Sequence, residues 1–441
     1  MHVTKIMVAV AALSVGATAF AAPNVARIAV SSGASATKGN QKLALTSLCT
    51  TAGGSLTEFV SGGNLSTYVC NTTANITGAQ YAAAADATFR NFAGTSFSEL
   101  RLNVSGGSFT AVCSLNAWPS STVCGTINTG GAADRYVDPA TGTTVFAQPG
   151  QAIVGGLMDT SPDIWPDNVV NGLVLPAVDN AGIAQSFGVA VSNLLYTAMF
   201  NFQKSAGGAT IDKPIPSTCA VTDTARAECV PTVSKGQMAT IMANNEFNAA
   251  YSNGVGFLAG PAFNGTELEY GRRADTSGTQ AAAQAYFLGL PCNKAPLTIV
   301  DTPAVGGSNT VGAIKVFAHA GTGNVRTQLN NATTYGIGIM SGENNQAGSS
   351  WKWIRVQGAP MAENATPGTA GITNRDSVKN GSYDFFVESK VAVGSVAGAA
   401  NFWSAVTNSL STLSAPVGLL NATDLAGYNK GNNTCQFNST N

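Results

Sequence analysis

The sequence predicts an α/β protein with two lobes, on three observations. Its 441 residues are too many for one small domain and enough for two units that each bury a core. Hydrophobic residues make up 44% of the chain and charged residues 10%, which is typical of a folded protein rather than a disordered one. Short apolar segments alternate along the chain with segments of strong helix formers. Because strands interleaved with helices pair mostly in parallel, we expect a mixed, largely parallel sheet in each lobe.

Five segments are predicted to be buried strands because they are short, apolar and flanked by turn formers. They are Arg27 to Ser31, Glu99 to Val104, Ile153 to Leu157, Phe187 to Ser192 and Tyr383 to Val387.

Three segments are predicted to be helices, and three glycine-containing segments are predicted to be loops or turns. The helices are Lys235 to Asn245, the alanine-rich segment that starts near Ala281 and stops at Gly289, and Ala399 to Leu413. The loops and turns are Gly130 to Gly150, Val305 to Gly312 and Gly321 to Arg326.

The N-terminal residues 1–21 have the pattern of a secretory signal peptide. They contain Lys5, an apolar run from Ile6 through Val15, and small residues at Ala19 and Ala21. A membrane anchor is the alternative, but the run is short for a span of about 20 residues. We therefore expect an exported protein, periplasmic or released to the medium.

The charge and histidine content exclude several classes of function. With 22 basic and 23 acidic residues, the net charge of −1 gives no electrostatic footprint for nucleic acid. His319 is the only histidine after the signal peptide, and no Cys-x-x-Cys occurs. The sequence therefore lacks the histidines and the cysteine spacing that a zinc site or a Ser-His-Asp triad would need. We expect no metal, no cofactor and no enzymatic activity, and a packed or hydrogen-bonded His319.

Eight cysteines in an exported chain indicate disulfides. Spacing suggests three short loops and one long-range pair, although other connectivities stay open. The suggested pairs are Cys49 with Cys70, Cys113 with Cys124, Cys219 with Cys229, and Cys292 with Cys435.

The segment from Arg272 to Thr279 lies directly before the alanine-rich helix. Unpaired amides and the helix dipole favour an anion there, and Arg273 offers a planar fork of donors that Asp275 is expected to orient. The alternative is an ordinary helix cap beside a solvated Arg–Asp pair. The local sequence supports both interpretations equally.

This segment resembles the Arg-Arg-Ala-Asp-Gly-Ser-Gly-Thr signature of periplasmic phosphate-binding proteins that feed ABC transporters. Further similar segments follow in the same order along the chain. They are Ser32 to Thr37, Val104 to Gly107, Gly156 to Asp159, Lys235 to Tyr251, Tyr335 to Met340 and Tyr383 to Glu388. About 40 residues between Lys38 and Glu99, rich in Cys, Gly and Ser, are an insertion relative to that family.

The resemblance implies a Venus-flytrap fold that clamps inorganic phosphate between two lobes. Lobe 1 would cover 22–190 and 389–441, and lobe 2 would cover 191–388. The partner would be an inner-membrane ABC permease, and the protein would be a monomer. The phosphate-binding residues carried over by position are Thr37, the backbone N–H of Lys38, Ser105, Asp159, Arg273, Ser277, Gly278 and Thr279, with Asp275 in support.

Asp159 would discriminate between ligands, since a carboxylate repels an oxyanion unless a ligand proton lies between them. Its alternative role is a helix N-cap or turn residue ahead of Ser161. The alternative functions are binding of another oxyanion or phosphorylated small molecule, and a secreted adhesive or phosphatase-like role on the same fold.

Overall fold

The structure, a computed structural model, describes most of the chain outside its N-terminus. The described residues are 28–32, 38–61, 65–77, 80, 86–104, 107–117, 135–137, 144–147, 153–165, 169, 178–205, 214–243, 249–290, 303–361, 376–413, 419–421, 428–429 and 439–440. The predicted signal peptide lies outside them.

The elements alternate between strands and helices, as the sequence predicts. The strands are β1 (Ile28–Ser32), β2 (Ser55–Ser61), β3 (Leu65–Asn71), β4 (Glu99–Asn103), β5 (Arg135–Val137), β6 (Thr144–Ala147), β7 (Ile153–Met158), β8 (Val178–Ser192), β9 (Thr232–Val233), β10 (Leu268–Arg273), β11 (Ser308–Val311), β12 (Ile314–His319), β13 (Gly336–Ser341), β14 (Trp351–Trp353), β15 (Arg355–Val356), β16 (Phe386–Val393), β17 (Leu419–Leu420), β18 (Tyr428–Asn429) and β19 (Ser439–Thr440). The helices are α1 (Lys38–Thr51), α2 (Phe109–Ala117), α3 (Asn193–Lys204), α4 (Lys235–Met242), α5 (Ala249–Asn253), α6 (Gly256–Ala259), α7 (Gly278–Ala283), α8 (Thr322–Leu329), α9 (Asp376–Lys379) and α10 (Ala399–Ser411).

One mixed sheet runs through both lobes in the order β11-β12-β10-β13-β8-β16-β7-β1-β4-β3-β2. Parallel strands form the centre of each half, β1 with β4 and β7 in one and β10 with β12 and β13 in the other. Antiparallel strands lie at the edges and between the halves. The fold class is therefore confirmed as α/β with a mixed sheet in each lobe.

Each half of the sheet packs its own hydrophobic core. In the first, α1 and α10 cover β1, β4 and β7 through residues such as Leu45, Leu157 and Phe402. In the second, the largest core includes Met238, Leu268 and Ile337. The chain crosses between the cores in β8 and again in β16, which pair antiparallel. The predicted lobe boundaries at 190 and 388 stay predictions.

All five predicted strands coincide at least in part with observed ones: β1, β4, β7, the second half of β8, and β16. The predicted helices are α4, α7 and α10. Helical structure after α7 continues as a π-helical turn, Gln284–Leu288, and ends at Gly289, whose φ is +67°. Gly289 therefore acts as the left-handed stop that the sequence indicates.

Two predicted loops are partly strands. Gly130 to Gly150 contains β5 and β6, which pair as a hairpin. Val305 to Gly312 contains β11, which pairs with β12 through a two-residue turn at Gly312, with φ +57°. The polar residues of β11 do not predict a strand. The segment is a strand because it pairs with β12, not because of its own composition.

The insertion after Lys38 extends the first half of the sheet. The hairpin β2–β3 pairs with β4, and a disulfide joins Cys49 to Cys70 across α1 and β3.

The structure contains two of the predicted disulfides, Cys49–Cys70 and Cys219–Cys229. Cys113 is also disulfide-bonded. Cys124, Cys292 and Cys435 lie outside the described residues.

Strand β7 contains a bulge at Gly155, which changes the path of the strand toward its carboxyl end. Gly155 has φ +125°, and the pairing register with β1 shifts beside it. A Cβ at this position would overlap the carbonyl oxygen of Ala392 and lie 2.9 Å from Trp403 Nε1, which donates a hydrogen bond to Val154 O. Only glycine satisfies both constraints.

Gly155→Ala is expected to lower the free energy of unfolding by about 3 kcal/mol or more, because backbone strain and overpacking add. Gly53→Ala is the matched control: its φ is +74°, but no atom lies within 4 Å of the added Cβ. The control should lose only about 1 kcal/mol. Urea denaturation of both variants measures this, and equal losses would contradict the packing argument.

Candidate functional site

The candidate site lies where the two lobes meet, at the carboxyl ends of parallel strands. Five polar residues follow such strands: Ser108 after β4, Asp159 after β7, Arg273 at the end of β10, Thr322 after β12 and Glu343 after β13. In open α/β sheets, ligands bind at this edge because the loops there converge. The site therefore takes residues from both lobes.

Asp159 and Ser108 form the lobe 1 side of the site. The hydroxyl of Ser108 donates to Asp159 Oδ1, and the Asp159 N–H donates to Ser108 Oγ at 3.1 Å. Both residues are buried, with Asp159 only 4% exposed. Asp159 caps no helix: the short helix that follows begins at Pro162 and has Ser161 at its N-cap. The N-cap interpretation of Asp159 is therefore wrong.

The start of α7 forms the opposite, lobe 2 side. A Cβ at Gly278 would overlap Asp159 Oδ1 and lie 2.7 Å from Ser108 Oγ. A Cβ at Gly107 would lie 3.9 Å from the Cα of Ser277. The two lobes thus touch at this point, and the absence of a side chain at Gly278 is what lets them approach.

The backbone at the start of α7 presents unused donors. The Ser277 N–H donates to Ala274 O, but the N–H groups of Gly278 and Thr279 form no hydrogen bond with any described residue. Ser277 is the N-cap, and its hydroxyl makes no cap hydrogen bond. The prediction that residues 277–279 begin a helix is confirmed. Such amides are favourable partners for an anion.

Arg273 is a buried cation held by neutral oxygens. Its Nη1 donates to Thr322 Oγ1 at 2.6 Å and its Nη2 to Ala320 O at 3.0 Å. No described carboxylate lies within 4.0 Å of it, and its Nε is buried without a partner. Burial lowers the pKa of Arg273, while the charges of Asp159 and Glu343 oppose that shift.

The two carboxyls near Arg273 are hard to ionise. Burial raises the pKa of Asp159 from 3.8 to about 7, Arg273 partly offsets this, and Glu343 adds to it. Burial also raises the pKa of Glu343, against hydrogen bonds from Ser341 and its own backbone and the charges of Arg273 and Arg326. Desolvation therefore outweighs the favourable charge partners at both groups.

Two atoms of the site, Arg273 Nε and Glu343 Oε2, are buried without a hydrogen-bond partner among the described residues. Buried polar groups in native proteins are nearly always paired with protein, water or ligand. These two atoms therefore indicate a place for a polar ligand.

The predicted site residues have different outcomes. The structure brings Asp159, Arg273, Ser277, Gly278 and Thr279 together. Thr37 and Ser105 lie outside the described residues. Lys38 begins α1, and burial lowers its pKa while Glu58 and Lys42 are the charges nearest its ammonium. Its side chain thus belongs to a different charge cluster from that of Asp159.

The prediction that Asp275 orients Arg273 is wrong. The Asp275 carboxylate accepts a hydrogen bond from Arg272 Nη2 instead. Successive side chains of a strand point to opposite faces, so Arg272 and Arg273 at the end of β10 cannot share one partner. The Arg273 guanidinium, which Asp275 does not bind, therefore remains available to a ligand at the site.

Three residues of the site are absent from the sequence predictions: Ser108, Thr322 and Glu343. Thr322 begins α8, where the sequence predicts a turn from Gly321 to Arg326. Their one signal is position, since each follows the carboxyl end of a strand that points to the junction between the lobes. His319 is hydrogen-bonded to Gln328 and stacked on Phe317, as expected for a packed histidine.

No helix in the described part of the chain is long and apolar enough to cross a membrane. The same residues include no group of three or more His, Cys, Asp or Glu side chains that could hold a metal ion.

Comparison with known proteins gives only distant structural likenesses. No family model and no curated protein matches the sequence. One similar solved structure is a Clostridium perfringens protein assigned as a phosphate ABC transporter substrate-binding protein, with bound phosphate: 10% identity, TM-score 0.40, 94% of this chain and 100% of that chain. Another is PstS from Borrelia burgdorferi: 9% identity, TM-score 0.32, 88% of this chain and 93% of that chain. At TM-scores below 0.5 these likenesses carry no weight for the role of any residue.

The raised pKa of Asp159 predicts how stability depends on pH. Well below its ordinary pKa of 3.8 the carboxyl is neutral in both the folded and unfolded chain, so its burial costs least there. Between about pH 4 and pH 7 the unfolded chain releases its proton first, and the free energy of unfolding falls. Asp159→Asn is expected to remove that fall and to stabilise the unliganded protein by about 3 kcal/mol at pH 7 relative to pH 4. Urea denaturation across this range measures it, and parallel profiles for both proteins would refute it.

Proposed function

We propose that this chain is an exported solute-binding protein that captures inorganic phosphate between its two lobes. The observation that carries the proposal is the buried Arg273 guanidinium, which has no carboxylate partner among the described residues. It is placed next to a hard-to-ionise Asp159 and the unused amides of α7.

The arrangement of charge favours an anion. A buried cation is costly unless it is paired, and the groups that hold Arg273 here are neutral. An oxyanion beside it would gain charge-assisted hydrogen bonds from Nε and from the amides of Gly278 and Thr279. The cation is thus positioned for a partner that comes from solution.

Asp159 favours an oxyanion that carries a proton. An ionised carboxylate repels a fully ionised anion at contact distance, whereas a proton between the two turns repulsion into a hydrogen bond. Phosphate carries such a proton at neutral pH and sulfate does not. Selection against sulfate therefore needs no additional contact, only an Asp159 carboxylate that is ionised when the anion binds.

The two lobes supply complementary parts of the site. Ser108 and Asp159 belong to one core, and Arg273 and α7 belong to the other side of the crossing strands β8 and β16. Because the lobes touch at Gly278, a ligand reaches the site only when they separate, and closure would then desolvate it.

Because the chain is predicted to be exported and its lobes are proposed to close on phosphate, we place the protein in the periplasm, as a monomer that delivers phosphate to an inner-membrane ABC permease. It requires no cofactor and catalyses no reaction. Thr37, Ser105 and the backbone N–H of Lys38 stay proposed contacts on the lobe 1 side.

Isothermal titration at about pH 8 tests the ligand. We expect phosphate to bind and sulfate to bind at least tenfold more weakly, because only phosphate brings a proton to Asp159. Asp159→Asn should raise the sulfate-to-phosphate affinity ratio about tenfold, since the amide donates a hydrogen bond to an unprotonated oxygen. Equal binding of both anions by the wild-type protein, or binding of neither, would contradict the assignment of phosphate as the ligand.

Lobe closure is tested at Gly278. Gly278→Ala is expected to weaken phosphate binding at least tenfold, because the added methyl group overlaps Asp159 and holds the lobes apart. Gly236→Ala is the matched control, since Gly236 also lies in the first turn of a helix, with only Ser234 Oγ at 3.8 Å from the added Cβ. Unchanged affinity in Gly278→Ala would show that the contact between the lobes is not part of the bound state.

A further inference from the structure

Glu343 is a second acidic group of the site, and the proposed role of Asp159 does not use it. It follows β13, so it reaches the sheet edge from the strand next to that of Arg273. Its Oε1 accepts from Ser341 Oγ at 2.7 Å and from Asn344 Nδ2 at 3.3 Å. These two contacts fix the carboxyl group and leave its other oxygen for a different partner.

That other oxygen, Glu343 Oε2, is buried and has no hydrogen-bond partner in the described part of the chain. A buried carboxyl oxygen without a partner is costly and needs a donor or a proton. The hydrogen bonds of the two nearby arginines go to other groups: Arg273 donates to Thr322 and Ala320, and Arg326 donates to Asn344 Oδ1 at 3.4 Å. Arg273 Nε has no partner among the described residues either.

The charges that face Glu343 come from several elements. They are Arg273 of β10, Arg326 of α8 and, across the lobe junction, Asp159, while the charge of Arg273 also lowers the pKa of His319 of β12. If both carboxyls stayed ionised, the dianion of phosphate would meet two negative groups and one nearby guanidinium. A second proton in the complex removes one of these repulsions.

We infer that Glu343 is a second acidic partner of the bound anion, so that the site holds a singly charged, doubly protonated oxyanion, dihydrogen phosphate, between Asp159 and Glu343. The inference rests on the proposed function and specifies which form of phosphate the closed site contains. Each carboxylate shares one of the two protons, and Arg273 and α7 take the unprotonated oxygens.

The count of protons taken up on binding tests this. At about pH 8 free phosphate is mostly the dianion with one proton. With Asp159 and Glu343 both ionised in the unliganded protein at that pH, a two-proton complex takes up one proton from solution. Phosphate affinity should then fall about tenfold per pH unit above neutrality. Titration in two phosphate-free buffers with different heats of ionisation measures the proton count directly. A count near zero in the wild-type protein would overturn the inference and leave phosphate binding intact.

Glu343→Gln assigns the proton to this residue. The amide keeps the size of the side chain and accepts from Ser341 as before. We expect proton uptake to fall to near zero and affinity to become nearly independent of pH over the same range. Glu228→Gln, at an exposed position paired with Arg226, is the matched control and should keep the wild-type proton count.

Two outcomes would point elsewhere. Uptake that persists in Glu343→Gln would assign the proton to another group, of which His319 beside Arg273 is the first candidate, and would overturn the inference. No binding of phosphate by the wild-type protein at any pH would overturn the proposed function itself. A thermal melt of Glu343→Gln confirms that it is folded before either conclusion is drawn.

Discussion

The desolvation of one guanidinium and two carboxyls at the lobe junction is the constraint on which the site depends. Arg273 has neutral hydrogen-bond partners, Asp159 has Ser108, and Glu343 has Ser341 and Asn344, so none of the three charges forms an ion pair among the described residues. Pairing them directly would stabilise the closed protein without a ligand. Keeping them apart leaves part of the stabilisation to be supplied by whatever binds.

The fold makes this arrangement possible by geometry rather than by local sequence. The parallel strands of one half run opposite to those of the other, and their carboxyl ends face each other where β8 and β16 cross, so residues far apart in sequence meet there. Two glycines then adjust the contact. Gly155 allows the bulge in β7 before Asp159, and Gly278 allows the backbone of α7 to reach the Asp159 carboxyl. The chain crosses between the two sides in β8 and β16, so the proposed opening and closure would bend the molecule there.

Local patterns predicted much of the fold but only part of the site. Strands such as β4 and β7 and the helix that begins at Gly278 depend on nearby apolar spacing and capping, which the sequence shows directly. The partner of Asp275 was predicted wrongly because it depends on which face of β10 each arginine occupies. Ser108, Thr322 and Glu343 gave no local signal beyond their position after a strand, because their roles arise only when separate strand ends converge. The strands β5, β6 and β11 were missed because pairing, not composition, defines them.

The pKa of Asp159 links selectivity to pH in a specific way. A proton between Asp159 and an anion can come from either group, and the resulting complex is the same. Phosphate brings its own proton, whereas sulfate must use one held by Asp159. With a pKa of about 7, that proton is freely available below neutrality and increasingly costly above it. A buried carboxyl therefore discriminates between these anions only where it would otherwise be ionised, and stronger burial of Asp159 would weaken discrimination at neutral pH rather than improve it.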